Sequence, residues 1–246
     1  MGLINRDVWK KTGDPKKIAL VIAGAGSLGS YEAGVLAELT YALEVLNHSR
    51  EPLAGSSGPK EGPFVIDAIT GASAGGMNAA ILARVSMYES HRRDRLYTAW
   101  VKQIDMDALL EDDPRQQNAL LSKTIVRRIA EAHLLDAAPA AFAPASFAPD
   151  DLRVGLTLTN LHGLDYRVLT RSLSSPAPGF LTTRFSDQGR FRFKKGGFGQ
   201  VDWPLLTDSA IATGNFPLAF MLAPFGGGVA AFAAATLWAL LFGSLR

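Results

Sequence analysis

Two short glycine-rich segments constrain this chain more than anything else in it. Each follows an apolar run and precedes a helix-like pattern. The first is Gly24-Ala25-Gly26-Ser27-Leu28-Gly29, after Ile18–Ala23 (IALVIA). The second is Gly71-Ala72-Ser73-Ala74-Gly75, after Phe64–Thr70 (FVIDAIT). A short continuous apolar run, rich in β-branched residues and stopping at glycine, reads as a strand buried on both faces. Ser30–Leu46 follows the first turn with Val35, Leu36, Leu39, Leu43 and Leu46 at helical spacing, and Gly76–Met87 follows the second. A β–α–β–α opening argues for an α/β fold with a largely parallel central sheet.

GxGxxG after a strand is also the dinucleotide fingerprint, which wants an acidic residue about 20 positions on, at the end of a second strand. Glu44 has the spacing but falls inside the predicted helix. What both readings share is a cluster of backbone N–H groups at a helix N-terminus, aimed at an anion. That anion is a pyrophosphate in one case and the oxyanion of an acyl-transfer intermediate in the other. The second segment separates them. GxSxG between a strand and a helix is the nucleophile elbow, where a strained turn lifts the serine hydroxyl above the sheet. Gly71, Ala72, Ala74 and Gly75 are small because strand and helix backbones crowd there. The helix N-terminus behind Ser73 favours negative charge developing nearby. The plainer alternative is a structural turn whose serine caps the helix. With two anion-cradling turns in one chain, Ser73 is read as a nucleophile.

The rest of the sequence mostly excludes. Its 246 residues, 48% hydrophobic and 20% charged, allow one large domain or two small ones. A net charge of +2 gives no case for nucleic acid. The absence of cysteine removes a disulfide scaffold, a thiolate zinc site and a cysteine nucleophile. No metal-ligand spacing or Walker motif appears, and no metal or cofactor is expected. His48, His91, His133 and His162 are scattered and read as surface or helix-face residues. Residues 1–17 read as a polar leader without a signal peptide, and Arg6 stands where a myristoylation motif wants Ser or Thr. Arg50–Pro63 reads as a surface loop and Asp136–Asp151 as an Ala/Pro-rich linker. Helices are expected over Asp94–Ile104, Ser122–Leu135 and from Thr207 to Thr213, the last capped by Thr207 or Asp208. Leu152–Asn160 reads as a strand turning at Leu161–Asp165 and returning as Tyr166–Thr170. A second hairpin is expected around Ser186–Gly189. The basic cluster His91–Arg95 suits anionic headgroups or a solvated helix face.

The C-terminal part carries no charge from Ser209 through Leu245. As a helix, Gly226–Leu245 would be about 30 Å long, just enough to cross a bilayer core. Its glycines, its alanine content and its single flanking Arg246 fit better with a buried helix, or with a hydrophobic end left by a truncated or frame-shifted coding sequence. Three parts are expected: the leader 1–17, a domain over 18–220, and an uncharged tail over 221–246.

Three blocks carry a resemblance: IAGAGSLGSYEAGVL (Ile22–Leu36), ITGASAGGMNAAI (Ile69–Ile81) and SAIATGNFPLAF (Ser209–Phe220). With them the chain resembles the patatin-like phospholipase family, over roughly Lys17 to Phe220. The resemblance implies a three-layer α/β/α sandwich that hydrolyses lipid acyl esters with a Ser–Asp dyad. Carried over, Ser73 matches the nucleophile, and Gly24, Ala25 and Gly26 match the oxyanion turn. Ala25 stands where the family usually has glycine, and Leu28 where it usually has a basic residue. The family's dyad aspartate sits in an Asp-Gly-Gly or Asp-Gly-Ala turn after the third block. This chain has no Asp-Gly dipeptide and no Asp after Asp208; Asp202 and Asp208 come too early to inherit the role. The expected partners are a lipid acyl ester and a peripheral membrane surface, and the expected location is cytoplasmic or peripherally membrane-associated. The alternatives are a non-catalytic lipid-binding or scaffold protein of the same fold and, more weakly, a Rossmann-type nucleotide-binding domain.

Overall fold

The computed structural model describes residues 13–49, 62–90, 94–111, 120–136, 143–168, 179–197, 202–215, 223–225 and 229–232. Strand β1 (Lys16–Ile22) leads through a 3₁₀ turn (Gly26–Leu28) into helix α1 (Gly29–Ser49). Strand β2 (Phe64–Gly71) leads into α2 (Ala74–Tyr88). A short α3 (Asp94–Tyr97) continues as a π-helical turn (Thr98–Gln103), followed by α4 (Met106–Leu110) and α5 (Lys123–Leu134). Long strands β3 (Asp151–Val168) and β4 (Phe180–Lys194), helix α6 (Trp203–Gly214) and short strands β5 (Ala223–Phe225) and β6 (Val229–Phe232) follow.

The sheet order is β1-β2-β3-β6-β5, with β4 also paired to β3. β1, β2 and β3 run parallel. β4 and β6 pair antiparallel to β3, and β5 antiparallel to β6. The fold is therefore α/β, a mixed sheet on a parallel foundation with packed helices, in keeping with the three-layer sandwich expected. Two βαβ units that advance in the same direction place α1 and α2 on the same side of the sheet. On that side Ile66, Ile69, Leu152, Val154, Leu156 and Phe193 are buried. α2 is buried along nearly its whole length and forms the centre of the helical layer.

Several elements differ from expectation, each for a local reason. β1 is not buried on both faces: its burial alternates, and Val21 is 83% exposed. β3 shows the same period of two, with Leu152, Val154, Leu156 and Leu158 inward and Arg153 and Thr157 outward. In α1 the buried stripe is Ala33, Leu36, Thr40, Leu43, Glu44 and Asn47, while Val35 and Leu46 face outward. Polar residues enter that stripe because they have partners: Asn47 donates to the Phe64 carbonyl at 2.9 Å and accepts from its N–H at 2.8 Å.

The turn expected at Leu161–Asp165 is a register shift within β3, between Thr159 and Leu164. The hairpin expected around Ser186–Gly189 does not form, because Ser186–Gly189 pair in register with Thr159–Leu156 of β3. The helix expected from Thr207 to Thr213 is α6, and it starts earlier, at Trp203. Its cap is Asp202, whose Oδ1 accepts from the Leu205 N–H, and Pro204 fits the first turn. The described part of the Ala/Pro-rich linker is core: Ala145, Phe147 and Ala148 are buried, and the Phe147 carbonyl accepts from Ile66. Val229–Phe232, read as helix, is strand β6. The remainder of Gly226–Leu245, and most of the leader and of the Arg50–Pro63 loop, lie outside the described residues.

Candidate active site

The elbow begins where β2 ends. Gly71 pairs in register with Ile22, the last residue of β1, so the two glycine turns leave neighbouring parallel strands at the same level. Ala72 N–H donates to the Ile22 carbonyl at 3.2 Å. Small residues are required by contact. A Cβ on Gly71 would meet the Gly75 carbonyl oxygen at 2.4 Å, and one on Gly75 would meet the Ala23 carbonyl oxygen at 2.3 Å. A Cβ on Gly76 would meet the Thr213 methyl at 2.4 Å. The first turn of α2 is thus pressed against the carbonyl immediately preceding Gly24.

Ser73 sits at φ 54°, ψ −127° and is the only non-glycine with positive φ among the described residues. Such a conformation costs about 1–3 kcal/mol and persists only where the surroundings enforce it. Three bonds do so. The Ser73 carbonyl accepts from Gly76 at 2.9 Å and Met77 at 3.1 Å, and its N–H donates to Thr213 Oγ1 at 2.9 Å. The Thr213 hydroxyl in turn donates to the Thr157 carbonyl at 2.8 Å. A hydroxyl has one proton, so with that proton committed to Thr157 only lone pairs face Ser73. One side chain on α6 therefore ties the elbow to β3. The Ser73 hydroxyl makes no capping bond to α2, so the helix-cap alternative does not describe it. It is half-buried, as is Ala72; Gly71, Ala74 and Gly75 are buried.

The first turn is shaped to fit its sequence. Gly26 takes φ +53°, where glycine is needed. Ala25 takes φ −119°, ψ −5°, which a Cβ tolerates, so the alanine in place of the family's glycine introduces no strain. Gly24 and Ala25 are half-buried and Gly26 is exposed, as is Leu28. Glu44 lies buried in the middle of α1 and not at a strand end, which leaves the dinucleotide alternative without its acidic residue.

A match over most of the chain joins these local observations. The model of the patatin-like phospholipase family matches residues 20–240. The chain belongs to the patatin-like phospholipase family. A search of curated proteins finds no match. The patatin-like match contains both glycine turns and Thr213, and the family hydrolyses lipid esters.

The other end of α2 carries a group that sequence reading missed. Arg84, wholly buried, binds Glu89 Oε2 at 2.7 Å and Asp136 Oδ1 at 2.7 Å, and donates to the Leu134 carbonyl at 2.7 Å. Arg95, also buried, binds Glu89 at 3.0 Å, Asp136 at 2.6 Å and the His133 carbonyl at 3.0 Å. Arg95 belongs to the basic His91–Arg95 segment but is buried and paired, so it meets neither headgroups nor solvent; His91, Arg92 and Arg93 lie outside the described residues. Arg84 also stacks over Trp203, 5.3 Å from the ring centroid. Burial pushes the neighbouring Tyr88 phenol up to about 12.

Of the histidines, His133 is buried on α5 with Nε2 at 2.8 Å from Gln103 Oε1, and His48 binds the Glu44 carbonyl in its own helix. Asp208, on α6, pairs with Arg127 at 3.2 Å. Asp202 is occupied as the α6 cap. Among the described residues no group of three acidic or histidine side chains could hold a metal ion, and no helix is long and apolar enough to cross a membrane.

Proposed function

We propose that this chain is a lipid acyl hydrolase in which Ser73 is the nucleophile and the Gly24–Ala25–Gly26 backbone is the oxyanion turn. The observation that carries this reading is the placement of Ser73. A serine held at positive φ, at the mouth of a helix, is locked by Gly75 and Ala72 against the residues that lead into the other glycine turn.

The chemistry follows from that placement. An acyl ester settles with its carbonyl carbon over Ser73 Oγ. The hydroxyl loses its proton to a base as Oγ bonds to the carbonyl carbon, and the carbonyl oxygen becomes an oxyanion. Backbone N–H groups of the Gly24–Gly26 turn and the positive end of α2 stabilise that charge. The intermediate collapses, the C–O bond to the alcohol breaks, and the alcohol leaves with a proton. Water then adds to the acyl-enzyme through the same oxyanion and releases the fatty acid, returning the proton to Ser73.

A second reading is favoured by one observation: among the described residues, neither a carboxylate nor an imidazole is bonded to the Ser73 hydroxyl. Without a base a serine hydroxyl is a poor nucleophile. The second reading is a lipid-binding protein that keeps the fold and has lost the chemistry. Hydrolysis of a chromogenic long-chain acyl ester by the wild type and by Ser73→Ala separates the two. A wild-type rate well above that of the variant supports the hydrolase; equal rates favour the binding protein.

A further inference from the structure

The first glycine turn is held at both of its ends by one element, the elbow with its helix. At the entry, the Ala72 N–H reaches the Ile22 carbonyl at 3.2 Å, and Gly75 lies against the Ala23 carbonyl. At the exit stands Gly29, the first residue of α1, whose carbonyl accepts from Asn78 Nδ2 at 3.1 Å. Asn78 is wholly buried in α2, five residues after Ser73. Its Oδ1 accepts from the Trp100 indole N–H, and Nδ2 also reaches Glu32 Oε2, in the first turn of α1, at 3.5 Å. The Trp100 ring closes over Gly29 so tightly that a Cβ there would meet it at 2.3 Å.

The residue type suits the place. A carbonyl only accepts and an indole N–H only donates, so the buried amide can stand in one orientation alone. An ionised aspartate would offer Gly29 no donor, and leucine would fill the space with neither donor nor acceptor. Burial pushes the Glu32 carboxyl up, and the Asn78 hydrogen bond works against that shift, so the amide touches α1 electrostatically at a second point.

We propose that Asn78 is a positioning residue for the oxyanion turn, its amide fastening the exit of that turn to the helix that begins at Ser73. The catalytic meaning of this clamp rests on the reading of Ser73 as nucleophile; its geometry stands without it. Between the two anchors the turn carries an internal bond from the Leu28 N–H to the Ala25 carbonyl at 2.9 Å, with Gly26 at positive φ. Fixed at its entry alone, the turn could swing about Ala23. Fixed at both ends, its N–H groups and the Ser73 hydroxyl move as one body. Donors aimed at a developing oxyanion lose much of their value when displaced by about 1 Å.

Two measurements test the clamp, on Asn78→Leu and on Gly29→Ala, whose added methyl collides with Trp100 and pushes the exit away from Asn78. The Gly29 variant serves where circular dichroism shows that the Asn78 variant has not folded. Amide hydrogen exchange over residues 24–30, followed by mass spectrometry, should quicken in the folded variants and change less in Trp100→Phe, which keeps the amide donors and a ring. Hydrolysis of an octanoyl ester should lose about tenfold or more in kcat with little change in KM. A trifluoromethyl ketone, whose carbonyl oxygen becomes an oxyanion when Ser73 Oγ adds to it, should lose affinity in step with kcat/KM. The corresponding alcohol, which forms no oxyanion, should bind as before. Unchanged exchange overturns the clamp. Faster exchange with unchanged kcat and ketone affinity, or equal losses for ketone and alcohol, overturns the positioning role and leaves Ser73 as nucleophile. Exchange that responds as expected in a wild type that hydrolyses no ester and binds no ketone supports the clamp and defeats the hydrolase reading.

Discussion

The two ends of α2 are built on opposite principles. At its N-terminus the neighbours are backbones and small side chains: Gly71 against Gly75, Gly75 against Ala23, Gly76 against the Thr213 methyl. At its C-terminus they are the longest charged side chains in the core, Arg84 and Arg95, bound to Glu89 and Asp136. At one end the structure fails if an atom is added; at the other it fails if one is removed. The first arrangement fixes the position of one hydroxyl on a strained backbone. The second anchors the helix so that the strained end has something rigid to be strained against.

The sharpest break is at the N-terminal end. Ser73→Ala should lower ester hydrolysis by a factor of about 10³ or more, since residues acting as a catalytic unit fail together. Its melting temperature should stay within a few degrees of the wild type. Steady-state kinetics and thermal melts read the two quantities separately. A chain that loses stability and keeps its rate would reverse the roles assigned to the two ends.

The next largest effect is at the C-terminal end. Arg84→Met leaves buried Glu89 and exposed Asp136 with one arginine where there were two. Breaking such a network costs about 3–5 kcal/mol, or about 10 °C or more in Tm for a chain of this size. Below its melting point the variant should still hydrolyse ester. Complete loss of hydrolysis at a temperature where circular dichroism shows native structure would mean that the two ends are not separable.

Thr213 tests the link between elbow and sheet. Thr213→Val keeps the shape and removes the acceptor for the Ser73 N–H. An orphaned donor costs about 1–3 kcal/mol, and the freed turn should lower kcat with little change in KM. Thr213→Ser retains the hydroxyl and should recover most of the rate. Equal behaviour of Val and Ser variants would remove Thr213 from the account.

The smallest effect concerns Lys123, at the start of α5, whose far end supplies the Leu134 and His133 carbonyls to the arginines. Burial, with a contribution from Arg127 and opposed by Asp208, lowers its ammonium to about 8. The unfolded lysine holds its proton to about 10.4. Between these values the unfolded state binds more protons, so stability rises with pH from about 8 upward. Lys123→Met should melt higher than wild type at pH 7, and that advantage should shrink as the pH approaches 10. An advantage that grows with pH would contradict the sign.

What could be read in the sequence is what short-range sterics dictate. Ser73 and its flanking Gly71 and Gly75 stand at fixed offsets, because a strand-to-helix turn admits few residue types. The β1–α1–β2–α2 order followed from apolar runs broken by glycine. Burial of whole faces did not follow. Ala19 and Val21 look inward by composition and face outward in the sheet, because burial depends on which layer covers a face. Arg95 reads as part of a basic cluster, and nothing local announces that Glu89 and Asp136, the latter far along the chain, will meet it and Arg84. Thr213 lay within a recognised block, yet its hydroxyl bonds to residues 140 and 56 positions away. Only the fold brings those distances together.

Ser73 has a consequence over longer times. Glycine adopts the conformation at position 73 without steric strain, so replacing the serine relieves strain that the rest of the fold must otherwise oppose, in exchange for a larger entropy loss on folding. A descendant released from chemistry would gain robustness by drifting to glycine there. If Ser73 is the nucleophile proposed above, its oxygen is what that drift would forfeit.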